Sequence, residues 1–276
     1  MPATLAGMID LDSLRGFVAR HQKLFVLTGA GCSTGSGIPD YRDAVGAWKR
    51  RPPVTFQAFM GHESTRRRYW ARSMIGWPKI AAAAPNAAHS ALARLEARGG
   101  VELLVTQNVD GLHQAAGSRA TLDLHGRLGC LRCMGCGAET PRAAFQQALE
   151  RANPDWLRFD ALAAPDGDAD LEDADFASFQ IPPCPACGGV LKPDVVFYGE
   201  SVPRERVDAA MAALARADAV LVVGSSLMVY SGYRFLEKAA QLGKPAAAIN
   251  LGRTRADALL TLKVEADCAT ALGFLL

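Results

Sequence analysis

The sequence has no long hydrophobic run and little net charge. Apolar segments such as residues 219–223 are far shorter than the roughly 18 residues that cross a bilayer, so we expect a soluble protein without a membrane partner. Thirty basic and 28 acidic side chains leave a formal charge of +2, too small for a dedicated sequence-specific nucleic-acid binder. Hydrophobic residues make up 50% of the chain, which is enough to build a buried core and excludes a disordered protein.

The first residues carry no sign of export. Residues 1–17 lack the apolar stretch of a secretory signal, and Asp10 and Asp12 are unusual for a transit peptide. We therefore predict a cytoplasmic protein. The sequence contains 23 arginines but seven lysines and is rich in alanine, a composition that favours a bacterial origin.

Two common nucleotide-binding signatures are also absent. Thr34 stands where the dehydrogenase fingerprint G-x-G-x-x-G requires its third glycine, and no Gly-Lys-Ser/Thr sequence completes a P-loop. Hydride transfer and NTP hydrolysis are therefore disfavoured. Residues 29–37 are nevertheless rich in glycine, and glycines let a backbone approach a pyrophosphate. On its own, this segment suits a simple tight turn equally well.

Short apolar runs alternate with helical patterns along most of the chain. The runs at residues 24–27, 103–105, 219–223 and 246–249 each lead into a polar or glycine-bearing cluster, with helical segments between them. Continuous apolar strands are typical of a parallel sheet that is covered on both faces. The pattern predicts a doubly wound, Rossmann-like α/β fold in which ligands bind beyond the carboxyl ends of the strands.

Two segments interrupt this alternation. Residues 44–85, rich in Arg and Trp, are predicted to form a helical insertion, and residues 128–191 carry paired cysteines among Pro, Gly and acidic residues. We expect these segments to form a small domain of helices and paired cysteines. The larger, Rossmann-like domain would then contain residues 1–43, 86–127 and 192–276.

The spacing of the cysteines indicates a structural metal site. Cys133-x-x-Cys136 and Cys184-x-x-Cys187 offer four thiolates, enough to close a tetrahedral zinc site without an open position. Cys130-x-x-Cys133 is also a pair, so the first half of the site has two assignments. A redox Cys-x-x-Cys motif is the alternative, but it would account for only one of the two pairs, whereas a zinc site uses both.

Five motifs resemble the sirtuin family in sequence and in order. They are Gly29-Ala30-Gly31 with Ser36-Gly37-Ile38-Pro39-Asp40-Tyr41-Arg42, Thr106-Gln107-Asn108-Val109-Asp110-Gly111-Leu112-His113, Leu124-His125-Gly126, Lys192-Pro193-Asp194-Val195-Val196-Phe197-Tyr198-Gly199-Glu200 and Gly224-Ser225-Ser226-Leu227. The resemblance covers residues 24–268. It implies an NAD-dependent protein deacylase, which transfers the acyl group of an acyl-lysine to ADP-ribose and releases nicotinamide.

The resemblance also assigns roles to individual residues. His125 would be the general base that takes a proton from a ribose hydroxyl of NAD, as an imidazole can near neutral pH. Asn108 and Asp110 would fix the ribose and the nicotinamide amide as further catalytic residues, although their spacing alone also suits an Asx turn. The other residues implied for NAD binding are Gly29, Ala30, Gly31, Ser36, Asp40, Tyr41, Arg42, Gln107, Val109, Gly224, Ser225, Ser226, Asn250, Leu251, Gly252 and Cys268.

The same resemblance decides between the two cysteine assignments. Cys133 and Cys136 lie at the family's distance from His125, and Gly137 follows them, so this pair is preferred to one that includes Cys130. The implied cofactors are NAD and one structural zinc ion. The implied zinc ligands are Cys133, Cys136, Cys184 and Cys187.

Acyl-lysine proteins or peptides are the implied partners. In sirtuins the substrate backbone adds as a strand between two segments of the enzyme. The first segment contains a short apolar strand, predicted at residues 195–197, and its implied substrate-binding residues are Val195, Phe197, Tyr198, Gly199 and Glu200. In the second segment, Tyr230-Ser231 replaces the proline of most deacetylases.

Tyr69 and Arg72 have the Tyr-x-x-Arg spacing of sirtuins that remove succinyl and glutaryl groups. The spacing puts both side chains on one face of a helix, where a guanidinium could bind a distal carboxylate through two hydrogen bonds. The alternative is that Arg72 is one more base on a solvated helix. Residues 69–72, 154–156 and 229–235 also resemble the class II branch, which includes a mitochondrial lipoamidase and ADP-ribosyltransferase.

Three functions fit these motifs. The first is an NAD-dependent lysine deacylase, the second a protein mono-ADP-ribosyltransferase that uses the same NAD pocket, and the third an NAD or ADP-ribose sensor with little turnover. The presence of His125, Asn108 and Asp110 speaks against a sensor, because binding alone requires no base. Nicotinamide release that depends on an acylated peptide would separate the first function from the second.

Overall fold

A computed structural model of the chain describes residues 5–41, 53–159, 171 and 174–276, together with Asp43, Val45, Ala47 and Lys49. Arg42, which the sirtuin resemblance implies for NAD binding, lies outside the described residues. Within the described part, no helix is long and apolar enough to cross a membrane.

The strands of the described residues belong to two sheets. They are β1 (Leu24–Thr28), β2 (Val101–Thr106), β3 (Thr121–Asp123), β4 (Gly126–Cys133), β5 (Glu139–Pro141), β6 (Leu191–Val195), β7 (Ala219–Val223), β8 (Ala246–Ile249) and β9 (Leu262–Val264). The larger sheet has the order β3-β2-β1-β7-β8-β9, and its neighbouring strands are parallel. The smaller sheet, with the order β5-β4-β6, is antiparallel.

Helices cover both faces of the larger sheet. The helices of the described residues are α1 (Leu5–Arg20), α2 (Phe56–Gly61), α3 (Glu63–Ala81), α4 (Ala87–Ala97), α5 (Leu112–Ala115), α6 (Arg142–Ala152), α7 (Arg204–Arg216), α8 (Tyr230–Gln241) and α9 (Cys268–Leu272). Val26 of β1 packs in one core cluster with α1, α4 and α9, and its neighbour Leu27 packs in another with α7 and α8. Because β1 and β7 are buried on both faces, their sequences are continuous apolar runs. The predicted doubly wound α/β fold is confirmed.

The smaller sheet shares a separate core with α2, α3 and α6. Phe59 of α2 and Trp70 of α3 pack in one cluster with Leu131 of β4, Phe145 of α6 and Leu191 of β6. The helical segment and the cysteine-bearing segment therefore pack together, although they are far apart in sequence. The predicted domain boundaries at 127/128 and 191/192 lie inside β4 and β6.

The carboxyl ends of β1, β2, β7 and β8 lie at one edge of the larger sheet and place the predicted polar clusters side by side. Close packing there depends on Gly224, which follows β7 with φ of 63°. A Cβ at this position would overlap the backbone of Gly31 and Cys32. The glycine therefore lets the loops after β1 and β7 touch.

Candidate active site

Loops at this edge surround a cleft of about 690 Å³. Most of the residues predicted for catalysis and NAD binding line it: Gly29, Ala30, Gly31, Asp40, Tyr41, Gln107, Asn108, Val109, Asp110, His125, Gly224, Ser225, Ser226, Asn250 and Leu251. The predicted substrate residues that line it are Val195, Phe197, Tyr198, Gly199 and Glu200. The other predicted residues that the structure describes lie outside the cleft wall: Ser36, Gly252, Cys268, Tyr69 and Arg72.

His125 lies between the two sheets, after β3 and directly before β4. Its Nδ1 atom is 3.0 Å from the carbonyl oxygen of Gln107, and its Nε2 atom is 2.8 Å from Oγ of Ser231. A carbonyl oxygen can only accept a hydrogen bond, so Nδ1 carries the ring proton. The basic nitrogen of His125 is therefore Nε2.

The surroundings of His125 keep it neutral. Burial is the main reason why the pKa of His125 is lowered from 6.5 to about 4. The Gln107 carbonyl raises this pKa, whereas the positive charges of Arg206 and Arg234 lower it. At neutral pH the imidazole is thus unprotonated at Nε2 and can accept a proton there.

Asn108 and Asp110 are linked through a serine that sequence reasoning missed. Asn108 Nδ2 donates to the carbonyl oxygen of Gly29 and to Ser33 Oγ, both at 3.0 Å, and Ser33 Oγ donates to Asp110 Oδ2 at 2.7 Å. The other carboxylate oxygen of Asp110 accepts from the backbone N–H of Leu112 at 2.9 Å. Asp110 therefore makes the local Asx-type bond and also joins the side-chain network of the cleft.

Gln107 connects the loops after β2 and β7. Its side-chain amide donates to Ser225 Oγ at 2.7 Å, and its carbonyl oxygen bonds His125. Helix α8 approaches so closely that a Cβ on Gly232 would lie 2.6 Å from Gln107 Oε1. The start of α8 is therefore packed against the candidate catalytic residues.

Ser36, near the end of the glycine-rich segment, is hydrogen-bonded to Asn86, the residue before α4. Asn86 Nδ2 donates to Ser36 Oγ at 3.0 Å and to the carbonyl oxygen of Cys32 at 2.9 Å. The side-chain oxygen of Asn86 also caps α4 through the N–H of Ala88. Asn86 thus fixes the loop to the start of α4.

The remaining predicted NAD contacts lie around the end of β8. Asn250 Nδ2 donates to the carbonyl oxygens of Leu251 and Gly252 at 3.1 and 3.3 Å. Cys268 begins α9, and burial raises the pKa of its thiol to about 12. A thiol with this pKa is unreactive near neutral pH, so any contact from Cys268 to a ligand would come from its backbone.

The predicted substrate strand differs from the observed one. The strand ends at Val195 instead of beginning there, and the following residues form a turn in which Glu200 N–H donates to the Phe197 carbonyl oxygen. Lys192 holds this turn in place. Its side chain is almost fully buried (4% exposed), and its Nζ atom is 3.1 Å from Oε2 of Glu200 and 4.6 Å from the centre of the Phe197 ring. A buried lysine paired in this way was not visible in the apolar pattern.

Tyr69 and Arg72 lie on α3, which packs against the small sheet. Tyr69 is buried, with ring centres 5.3 Å from Phe59 and 5.4 Å from Phe197. Arg72 is half-buried one turn further along the helix. Neither residue lines the cleft, and Tyr69 reaches it through Phe197.

The four predicted zinc ligands converge. The sulfur atoms of Cys133 and Cys187 are 3.5 Å apart, those of Cys136 and Cys184 are 3.9 Å apart, and all four lie within 4.8 Å of one another. A tetrahedral site with Zn–S bonds of about 2.3 Å needs sulfur separations of about 3.8 Å. The four thiols therefore fit a zinc ion, and they leave no position for a substrate.

Two histidines that the sequence analysis did not single out, His89 and His113, are fully buried next to each other, close to the residues of the cleft. Thr28 Oγ1 donates to Thr106 Oγ1, so it must accept its second bond from His113 Nε2, 2.9 Å away. His89 Nδ1 accepts from the N–H of Asn86 at 3.2 Å, and the two imidazole rings are 4.8 Å apart. Burial lowers the pKa of both, that of His113 to about 3, and His89 lowers it as well.

These neutral histidines should make the protein sensitive to acid. A histidine that titrates near pH 6.5 when unfolded but at about 3 or 4 when folded gives full stability above its unfolded pKa. Below that pH, each such group should lower the free energy of unfolding by about 1.4 kcal/mol per pH unit, because the unfolded chain binds the proton first. Urea unfolding from neutral to acid pH would measure the slope.

The matched variant for this slope is His125→Ala, which removes one of the two strongly shifted groups. Its unfolding free energy should fall less steeply with decreasing pH than that of the wild type. Equal slopes in the two proteins would show that His125 is not held neutral by the fold.

Known proteins resemble this chain over nearly its whole length. The Sir2 family model matches residues 29–231. An NAD-dependent protein deacetylase of Xanthomonas axonopodis pv. citri (strain 306) is 67% identical over 266 residues, which cover 96% of this chain and 91% of that protein. NAD-dependent protein deacetylase 2 of Bradyrhizobium diazoefficiens is 68% identical over 265 residues, 96% of this chain and 97% of the relative.

Solved structures show the same relationship. A structure described as Sir2-p53 peptide-NAD+ superposes with a TM-score of 0.77 and 28% identity, and it covers 96% of both chains. One described as Sir2 bound to acetylated peptide has a TM-score of 0.76 and 27% identity over the same shares. The resemblance read from the motifs is confirmed, and the chain belongs to the Sir2 family, the sirtuins.

Proposed function

We propose that this protein is an NAD-dependent protein lysine deacylase that acts on acetyl-lysine. The observation that carries the proposal is His125, a half-buried neutral imidazole in the wall of the cleft whose basic nitrogen is Nε2. Relatives that are 67% and 68% identical are named NAD-dependent protein deacetylases.

The cleft fits NAD in size and chemistry. Its volume of about 690 Å³ is within the range of cofactor pockets. At the glycine-rich loop a Cβ on Gly29 would lie 2.7 Å from the Cβ of Ser225, so only a glycine backbone fits against Ser225 in this part of the wall. Such a wall suits a pyrophosphate. We propose NAD contacts for the residues that the motifs imply there, with Asn108 and Asp110 at the ribose and the nicotinamide amide.

Bound NAD would supply nicotinamide as the leaving group and ADP-ribose as the acceptor of the acyl group. His125 would take a proton at Nε2 from a ribose hydroxyl, and the Nδ1–H bond to the Gln107 carbonyl would stabilise the resulting imidazolium. The network of Asn108, Ser33 and Asp110 would hold polar groups of the ligand in place, because each side chain is already oriented by a neighbour.

We also propose a structural zinc ion on Cys133, Cys136, Cys184 and Cys187. The ion would join β4 to the turn at residues 184–189 and close the end of the small sheet. With four protein ligands it would have no open position for water or substrate, so its role would be structural. The separate core around this site supports the predicted two-domain division.

The proposed partners are acyl-lysine proteins or peptides, bound at the turn that contains Val195, Phe197, Tyr198, Gly199 and Glu200. The proposed location is the cytoplasm of a bacterial cell. Sirtuin structures with acetylated peptides support the partner class, and the relatives named above are bacterial. We place the chain in the class II branch on the strength of its motifs.

Mono-ADP-ribosyltransfer is the second candidate function, because the same NAD pocket would serve it. The two activities are separated by measuring nicotinamide release from NAD with an acetylated peptide, with the unmodified peptide and without peptide. Release that requires the acetyl group and matches deacetylated peptide one to one supports the deacylase. Release that is independent of the acetyl group, with ADP-ribose attached to protein, would favour the transferase and contradict the proposal.

Acyl preference is the finer part of the proposal. If Arg72 reads a distal carboxylate, glutaryl peptides should be processed faster than acetyl peptides. Replacing Arg72 with methionine should then lower kcat/KM for glutaryl peptides by roughly 2 kcal/mol or more, because a charged hydrogen bond is lost. Steady-state kinetics with matched acetyl and glutaryl peptides would measure this difference.

Arg68→Met is the matched control, since Arg68 lies on the same helix one turn earlier. This variant should leave the ratio of kcat/KM for glutaryl and acetyl peptides unchanged. Equal losses for both peptides in Arg72→Met would mean that Arg72 supports the fold and does not read the acyl chain. The position of Arg72 outside the cleft wall also fits this structural role.

A further inference from the structure

Ser231 occupies an unusual position for a helix-terminal serine. It is the second residue of α8, after the N-cap Val229, and a serine this close to a helix start often caps the backbone. Here the helix has no side-chain cap, and the hydroxyl instead lies 2.8 Å from Nε2 of His125. Ser231 is 9% exposed and lines the cleft.

The direction of this hydrogen bond follows from the tautomer of His125. The Gln107 carbonyl oxygen fixes the ring proton on Nδ1, so Nε2 has a lone pair and no hydrogen. Ser231 must therefore donate its hydroxyl hydrogen to Nε2. The atom that takes a proton in the proposed reaction is thus already hydrogen-bonded by the protein.

The charged groups that act on His125 from the neighbouring elements are all basic. Arg206 of α7 and Arg234 of α8 both disfavour the imidazolium, and Arg234 lies on the same helix as Ser231, less than one turn away. A donated hydrogen bond acts in the same direction, because it stabilises the neutral ring. Ser231 is therefore placed to weaken the base as well as to orient it.

We propose that Ser231 is a positioning residue for His125, which holds the imidazole in the Nδ1–H tautomer and covers Nε2 until a ligand hydroxyl replaces it. This inference rests on the proposed function of His125 as the base. Two hydrogen bonds, one at each ring nitrogen, fix the plane of the imidazole. The ligand hydroxyl must then donate to Nε2 along the direction that Ser231 occupies.

The test compares the ligand-free wild type with Ser231→Ala, in protein with ¹⁵N- and ¹³C-labelled histidine. The Nε2 chemical shift of His125 at neutral pH reports whether the nitrogen accepts a hydrogen bond, and His125→Ala identifies the signal. We expect this shift to move in Ser231→Ala. The pKa of His125 should rise by about half to one pH unit, as expected for the loss of one neutral hydrogen bond.

Two further variants control for indirect effects. Ser231→Thr keeps the hydroxyl and should keep the wild-type Nε2 signal. Ser201→Ala removes an exposed hydroxyl elsewhere in the cleft and should leave the Nε2 signal of His125 unchanged. The melting temperature of Ser231→Ala should fall only slightly, because one neutral hydrogen bond is lost and the Ser231 hydroxyl caps nothing in α8.

Activity gives an independent readout. The acid limb of kcat/KM for NAD should move to higher pH in Ser231→Ala by the same half to one unit, and Ser231→Thr should restore it. An unchanged Nε2 signal and an unchanged acid limb in Ser231→Ala would overturn the proposal. So would lower activity with an unmoved acid limb, since a role in packing alone would produce it. If the wild type shows no peptide-dependent turnover, the proposed function fails, but the spectra of the ligand-free protein still decide the role of Ser231.

Discussion

Replacing His125 with alanine should reduce deacylation by about 10² to 10⁴, the usual loss when a general base is removed. The structure provides the physical reason: Nε2 is the unprotonated nitrogen of a neutral, half-buried ring in the cleft wall. Alanine removes this nitrogen and leaves no proton acceptor in its place. The loss would be measured as the rate at which deacetylated peptide forms from acetyl peptide and NAD, with the product separated by chromatography.

The controls separate loss of the base from loss of the fold. NAD affinity and the melting temperature should stay close to those of the wild type, and exchange of free nicotinamide can persist because that step precedes proton transfer to the base. His62→Ala, which removes an exposed histidine, should behave as the wild type. Near wild-type turnover in His125→Ala would show that another group acts as the base.

The larger sheet could be predicted because its central strands are buried on both faces. The runs at residues 219–223 and 246–249 coincide with β7 and β8, since full burial excludes polar residues from them. The smaller sheet escaped prediction for the opposite reason. β4 is half-exposed with alternating burial, and β6 contains Lys192 and Pro193, so neither reads as an apolar run.

The part of the site that could be predicted consists of the residues that come directly after the strands of the larger sheet. Parallel strands end at one edge, so the clusters after β1, β2, β7 and β8 had to meet there. Contacts between distant short side chains were not predictable. Ser33 bonds Asp110, and Ser231 bonds His125 across 106 positions of sequence, yet a serine in a loop or at a helix start looks the same whether or not it has such a partner.

Removal of the metal should unfold the small sheet and abolish activity. Cys184→Ser, or treatment with a strong chelator, should lower the melting temperature and remove one zinc per chain. Structural zinc contributes on the order of 10 kcal/mol or more to the folding of small modules. Cys133 and Cys184 are also buried in the core cluster that joins the small sheet to α3, so an uncompensated site would disturb that core directly. Calorimetry and elemental analysis on the same samples would measure both losses.

Cys130→Ser is the matched control, because it changes a cysteine of the same strand outside the cluster. The Cys130 sulfur lies 3.5 Å from the carbonyl oxygen of Leu131, and the four-sulfur group of the described residues does not include it. This variant should keep its zinc and its melting temperature, whereas Cys136→Ser should lose both. Zinc that persists in Cys136→Ser but is lost in Cys130→Ser would mean that the ion is held by the Cys130-x-x-Cys133 pair, and that the observed convergence of the four sulfur atoms does not form the metal site.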